Sequence, residues 1–220
     1  MSTSKTKRLA EVDQGMISDC MLRLGLDGWM DGLHAVGEAK SFAGRARTML
    51  IGPRRGVESL PKSKYAVVAS LDPGDVLVLG GFPTKENQMG DNVARFAQMH
   101  GVAAIVCDAP VRDYAGMGAL TMPVFCSGRS ARMPVTTDIV ALDVPIVCGG
   151  AQVRVGDMVV GSDDGVLVLP ASRVDEVLYQ LEEIEEIERA LQAAVVGGRP
   201  LREIEGLPGM KKKLRAQAVA

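Results

Sequence analysis

Between residues 73 and 108 short apolar runs alternate with polar stretches, in lengths that read as strand, loop, helix and strand. "PGDVLVLGG" (73–81) is a turn followed by an apolar run of strand length. "FPTKENQMG" (82–90) is polar and reads as a loop. In "DNVARFAQMHG" (91–101), Val93, Phe96, Ala97 and His100 share one side of a helix, which Gly101 stops. "VAAIVCD" (102–108) is a second buried strand. Together they predict a β-α-β unit with parallel strands. Ligands gather beyond the carboxyl ends of such strands. The 82–90 loop and the segment "DAPVRDYAGM" (108–117) both lie at that end.

The flanking patterns complete an α/β chain. Residues 8–25 are helical, with Ser18-Asp19 as the start of a second piece and Gly25 as its stop. "GRARTMLIG" (44–52) alternates and predicts a strand, while "KYAVVASL" (64–71) fits a short helix or a strand. Beyond residue 120 the chain is mostly β, with runs at 122–128, 138–150 and 153–170. Turn signals recur at Gly149-Gly150, Gly156-Asp157 and Asp163-Asp164-Gly165. Short strands at this spacing predict a curved or barrel-like sheet. A long C-terminal helix follows, from about 171 to 196, stopped by Gly197-Gly198. Its apolar stripe is Leu178, Leu181, Ile184, Ile187, Leu191 and Val195, and Glu188 falls inside it. A carboxylate on such a stripe needs an ion-pair partner or an active site to serve, its own or a neighbouring subunit's. No repeat and no linker divides residues 1–220, so one domain is expected, with a solvated, mobile basic tail from about residue 208.

Composition narrows the function. The 220 residues are 47% hydrophobic with net charge −2, which gives neither the basic footprint of a nucleic-acid binder nor an apolar run of membrane-spanning length. The N-terminus lacks a signal peptide's apolar core, so a cytoplasmic protein is expected. Cys20, Cys107, Cys126 and Cys148 are widely spaced with no CxxC pair, and read as reduced, buried small hydrophobes. His34 and His100 read as structural.

The candidate chemistry lies at Gly90-Asp91 and Arg112-Asp113. The first turn of the 91–100 helix, with Gly90, Asp91, Asn92 and Val93, offers free N–H groups to a carboxylate or phosphate. Arg112 can grip a carboxylate with two prongs. Asp91 and Asp113 are hard oxygen donors, suited to Mg²⁺ or Mn²⁺ with water completing the shell. The plain alternatives are a helix cap at Asp91 and a surface Arg–Asp ion pair.

"ISDCMLRLG", "PGDVLVLGG", "GDNVARFAQMHGVAAIVCDAPVRD" and "GDMVVGSDDGVLVLP" resemble the 4-hydroxy-4-methyl-2-oxoglutarate aldolases and their relatives, a family that also holds the regulators of ribonuclease E activity. The resemblance spans roughly residues 10–195, and its most specific part is Gly90, then 21 residues, then Arg112-Asp113. It implies an α/β swivelling domain assembled as trimers or pairs of trimers, with sites between subunits. It implies a divalent-metal pyruvate aldolase acting on a small 2-oxo acid. Asp113 matches the direct metal ligand, Asp91 the carboxylate that holds water around the metal, and Arg112 the arginine that binds the 2-oxo acid. The backbone after Gly90 matches the segment that holds the pyruvate carboxylate. A glutamate from an adjacent subunit's C-terminal helix completes the shell, and Glu188 is the candidate on the stripe argument. The chain departs from the family at Gly116, where an acidic residue is usual, at Ala109, where glycine is common, and in the 82–90 loop. Retro-aldol cleavage with oxaloacetate decarboxylation is therefore the leading expectation. A non-catalytic regulator that binds an RNA-degrading enzyme is the second. Methyl transfer is disfavoured, because no Gly-rich nucleotide loop opens a helix after an N-terminal strand.

Overall fold

The computed structural model of the chain describes residues 3–55 and 63–215. These described residues fall into two compact units, one within 1–11 and 28–171, the other within 12–27 and 172–220. The second unit joins two stretches far apart in sequence, so no linker composition marks it.

The elements are α1 (Thr3–Glu11), α2 (Gln14–Leu24), β1 (Trp29–Met30), β2 (His34–Ala35), β3 (Phe42–Pro53), α3 (Lys64–Ala69), β4 (Asp75–Gly81), α4 (Asp91–Met99) and β5 (Ala104–Val111). They continue with α5 (Tyr114–Gly118), β6 (Val124–Arg129), β7 (Thr137–Leu142), β8 (Ile146–Cys148), β9 (Ala151–Val153), β10 (Met158–Ser162) and β11 (Gly165–Leu169). A 3-10 turn, Ala171–Arg173, leads into α6 (Val174–Val196), and α7 (Leu201–Met210) follows.

In the larger unit the strands are ordered β1-β11-β10-β3-β4-β5-β6-β2, with β7 added to β3, while β8 and β9 form a separate hairpin. The two ends of this path, β1 and β2, are consecutive in the chain: Met30 pairs with Val166 and His34 with Cys126. Four residues reach at most about 14 Å, so the sheet must curve until its edges approach. This is the curved, barrel-like sheet that the strand spacing predicts. The β-α-β unit is also present, since β4 runs parallel to β5, and β5 to β6.

Alternate residues of these strands feed two cores. Val76, Val78, Ala104, Val106 and Phe125 pack inside the curve with Phe42, Val159 and Val168. Leu77, Leu79, Ile105 and Cys107 face outward, under Val67 of α3, Ala94 and Ala97 of α4 and Met117 of α5. A sheet covered on both sides needs continuous apolar strands, which is why β4 and β5 read as runs rather than alternations. Each fully buried Val, Leu or Ile here contributes about 1.5–3 kcal/mol.

Three local expectations change. The second N-terminal helix starts at Gln14, not Ser18, because Asp13 caps it: its side chain accepts the Gly15 N–H at 2.8 Å. Gly25 ends it in the left-handed conformation (φ 62°), as expected. Residues 64–69 are helical, capped by Ser63. In α6 the buried positions are Val174, Val177, Gln180, Leu181, Ile184 and Ile187, whereas Val195 is exposed. Two residues of the basic tail have partners. Lys211 pairs with Asp19 (2.9 Å) and Glu188 (2.5 Å), and Arg215 with Glu182 (2.6 Å) while lying over the Tyr179 ring. Residues 216–220 of that tail lie outside the described residues. All four cysteines are free and buried, and burial pushes the Cys20 and Cys107 thiols up to about 12. Among the described residues no helix is long and apolar enough to cross a membrane.

Candidate functional site

The two candidate motifs meet because the 82–90 loop is stitched along the end of β5. Gln88 donates its N–H to the Pro110 carbonyl (2.9 Å), and Arg112 donates its N–H to Met89 (3.0 Å). Met89 and Val111 form an isolated parallel bridge. The loop is fixed from its other side by Glu86, a buried carboxylate. It accepts the Thr136 N–H (2.9 Å), the Thr137 N–H (3.1 Å), and the hydroxyls of Thr136 (3.0 Å) and Thr137 (2.7 Å). Burial alone would raise its pKa, but the hydrogen bonds of Thr137, Thr136 and Val135 outweigh that and hold it at about 2.

Gly90 is thereby set against Arg112-Asp113. A Cβ at Gly90 would lie 2.9 Å from Asp113 Oδ2 and 3.2 Å from Arg112 Nε. Asp91, Asn92 and Val93 form the first turn of α4. Its first helical hydrogen bond is Ala94 N–H to the Gly90 carbonyl (3.2 Å), so the N–H groups before it have no helical acceptor. Asp91 is half-buried and 3.9 Å from Arg95. Asp113 caps α5 through its backbone in the left-handed region (φ 56°, ψ 39°). Arg112 Nε lies 3.3 Å from Asp113 Oδ2, and the two side chains are 45% and 44% exposed. The surface ion pair is thus present, but such a pair is worth about 0–1 kcal/mol. Left-handed backbone at a non-glycine residue costs roughly 1–2 kcal/mol, so the pair does not account for this geometry.

Gly116 also packs into the site. A Cβ there would lie 2.8 Å from Asp91 Oδ2. An acidic residue at this position would sit against the Asp91 carboxylate, and glycine leaves that space open. Glu188 belongs to the second compact unit, where Lys211 holds it and Gln192 donates to it at 3.4 Å. The ion-pair partner that its place on the stripe demanded is therefore Lys211.

For a divalent cation the donor set is sparse. Among the described residues no three His, Cys, Asp or Glu side chains come together. Asp113 and Asp91 are hard oxygen donors, partly open to solvent, which fits an ion that keeps most of its waters and takes one or two carboxylates.

Sequence reasoning missed three further residues. A cleft of about 490 Å³ is lined by Arg112, Asp113, Tyr114, Arg129 and Ser130. Tyr114 donates its hydroxyl to the Ala35 carbonyl (2.8 Å), and the Arg129 guanidinium lies 3.6 Å above its ring. Lys64 donates to Gln88 Oε1 (3.4 Å), and burial, helped by the Arg112 charge, lowers its pKa from 10.5. Tyr114 directly follows Asp113, whereas spatial register joins Arg129 to the motifs: it pairs with Val111 across β5 and β6. A larger cavity of about 770 Å³, lined by Leu50, Phe82, Ile139 and Val140, is mainly apolar, and its Asp138 is already paired with Arg54 (3.4 Å).

The sequence matches the family described as RraA-like, Aldolase/RraA, over residues 15–168. A protein of Halalkalibacterium halodurans named "Putative 4-hydroxy-4-methyl-2-oxoglutarate aldolase" is 33% identical over 150 residues, covering 66% of this chain and 71% of its own. The crystal structure of Streptomyces coelicolor RraAS2, described as an unusual member of the RNase ES inhibitor RraA protein family, superposes with TM-score 0.76 at 28% identity, covering 86% of this chain and 97% of that one. A structure of an uncharacterized Pseudomonas syringae protein superposes with TM-score 0.84 at 23% identity, covering 96% and 95% of the two chains, and shows the shared fold.

Proposed function

Because the chain belongs to the RraA-like aldolase/RraA family, we propose that it is a divalent-metal-dependent lyase that releases pyruvate from a small 4-hydroxy-2-oxo acid, with oxaloacetate decarboxylation as a side activity. The observation that carries this reading is the convergence of Gly90, Arg112 and Asp113. An exposed guanidinium and carboxylate fill the space of a missing Cβ, beside helix N–H groups that lack helical acceptors.

Asp113 would hold the metal, Mg²⁺ or Mn²⁺, and Asp91 would hold water beside it. When bound, the metal supplies a Lewis acid that stabilises the negative charge developing on the 2-oxo oxygen. Arg112 grips the anionic 2-oxo acid in two-pronged fashion and offsets its charge. The N–H groups of Asn92 and Val93 receive the carboxylate at the helix end. Asp91 draws the proton from the 4-hydroxyl through a water as the C3–C4 bond breaks, and the same relay returns a proton to C3. The reading extends to a homo-oligomer, a trimer or hexamer, in which Glu188 of one copy completes the water shell of the next, oriented by Lys211.

The test is pyruvate release from oxaloacetate and from 4-hydroxy-2-oxo acids with Mg²⁺ or Mn²⁺, abolished by a chelator. Asp113→Asn is the cleanest variant, since Asn also tolerates left-handed backbone. It should keep its melting temperature and lose metal binding and nearly all turnover. Arg112→Lys should keep the metal and lose about ten- to a hundredfold in kcat/KM, because a point charge cannot reproduce the fork. Full activity in Asp113→Asn would end the lyase reading.

The likeness to the RNase ES inhibitor family member, together with Gly116 in place of an acid, favours a second reading as a non-catalytic regulator of an RNA-degrading enzyme. There, no metal-dependent pyruvate release would be seen and Arg112→Lys would be silent.

A further inference from the structure

We propose that Arg129 is the residue that anchors the second, distal carboxylate of a 2-oxo diacid substrate. The inference rests on the lyase reading and assigns a residue that the motifs do not include.

Arg129 is the last residue of β6, and Val111, its register partner, immediately precedes Arg112. Adjacent strands lie roughly 4.8 Å apart, so the two arginines leave neighbouring strand ends at one cleft. Arg112 already has Asp113 at 3.3 Å. Arg129 is exposed and, among the described residues, makes no ion pair. Its position is nevertheless set: the guanidinium stacks 3.6 Å above the Tyr114 ring, and the Tyr114 hydroxyl is tied to the Ala35 carbonyl at 2.8 Å. A guanidinium stacked on a ring keeps its in-plane N–H donors free for a carboxylate. A cation ordered without an acidic partner is a prepared anion site, because little side-chain entropy remains to be lost on binding.

Charge balance points the same way. Arg95 lies 3.9 Å from Asp91 and Arg112 lies 3.3 Å from Asp113, so Arg129 is the cleft's cation without a carboxylate partner among the described residues. A monoanion needs only Arg112, whereas a dianion uses both. Gly116 leaves open the space beside Asp91 that an acidic side chain would fill with further negative charge.

Titration calorimetry on the full-length protein with Mg²⁺ tests this, using pyruvate as the monoacid and 2-oxoglutarate as the diacid. Arg129→Gln should weaken 2-oxoglutarate at least tenfold and leave pyruvate within about twofold, with Arg129→Lys recovering part of the loss. Melting curves expose a purely structural role, in which Arg129→Gln lowers the melting temperature and changes neither affinity. That result, or an equal loss for both ligands, overturns the inference while leaving the lyase reading intact. A wild-type protein that binds neither acid overturns both.

Discussion

Asp113 is the residue on which backbone and chemistry conflict. Its left-handed conformation, φ 56° and ψ 39°, is held by the turn between β5 and α5, and Met117 donates its N–H to the Asp113 carbonyl at 3.0 Å. Strain of this kind collects where a side chain must be aimed. Gly90 shows the complementary device. Its backbone (φ −127°, ψ 168°) is extended, so any residue could occupy the position without strain. A Cβ, however, would press on Asp113 Oδ2 and Arg112 Nε. Both are ends of flexible, half-exposed side chains that can move aside. Gly90→Ala should therefore change stability by no more than about 0.5 kcal/mol. The displaced ligand and clamp should lower kcat/KM at least tenfold, since small misplacements of positioning groups can cost about a hundredfold. An Ala variant with unchanged kinetics would show that this contact is irrelevant to turnover. At this scale the sequence was informative about Gly90, Asp91, Arg112 and Asp113, because their spacing is a one-dimensional signal. Arg129 was silent, because it ends a strand and only the β5–β6 register brings it to the cleft, and nothing local shows that the ring of Tyr114, next to Asp113, lies under its guanidinium.

Among the elements, the 82–90 loop has polar composition and reads as free, yet Glu86, Asn87 and Gln88 are buried. Its order comes from hydrogen bonds to residues about fifty positions later, which no local pattern reveals. Helix α7 was hidden for a related reason. Gly206, Pro208 and Gly209 have low helix propensity, and the helix is held against α6, with Arg23 donating to the carbonyls of Met210 (3.0 Å) and Lys211 (2.6 Å). By contrast β4, α4 and β5 were legible because their apolar periods coincide with their burial. The loop supplies a pH prediction. The Glu86 carboxyl is held at about 2, below its ordinary 4.5. A depressed carboxylate stabilises the fold fully above its unfolded pKa and loses that contribution as pH falls through its folded value. Wild type should therefore melt above Glu86→Gln at neutral pH, and the gap should close between about pH 4.5 and 2. Melting temperatures of both proteins across that range check it. A gap independent of pH would mean that the loop is held by something other than the Glu86 charge.

For the molecule as a whole, the open question of chemistry is how Glu188, in the second compact unit, relates to a cleft built entirely in the first. Lys211 joins Glu188 to Asp19, and the hydrogen bonds of these two carboxylates raise the Lys211 pKa from 10.5 although burial would lower it. A carboxylate oriented this firmly suits either a brace within its own unit or a residue presented to another copy. Mixing two inactive variants distinguishes them. In a ring with head-to-tail contacts each site takes Asp113 from one copy and Glu188 from the next. Asp113→Asn and Glu188→Gln should each be nearly inactive alone. Random co-assembly of equal amounts then restores intact pairings at about a quarter of the sites, since each of two neighbours must be the suitable variant. Recovery of roughly a quarter of wild-type pyruvate release after co-refolding, with light scattering showing a trimer or larger, is the expected result. No recovery in demonstrably mixed oligomers, or a stable monomer at micromolar concentration, would reduce Glu188 to a brace for Lys211. Its replacement would then lower the melting temperature of the chain without touching the kinetics of the cleft.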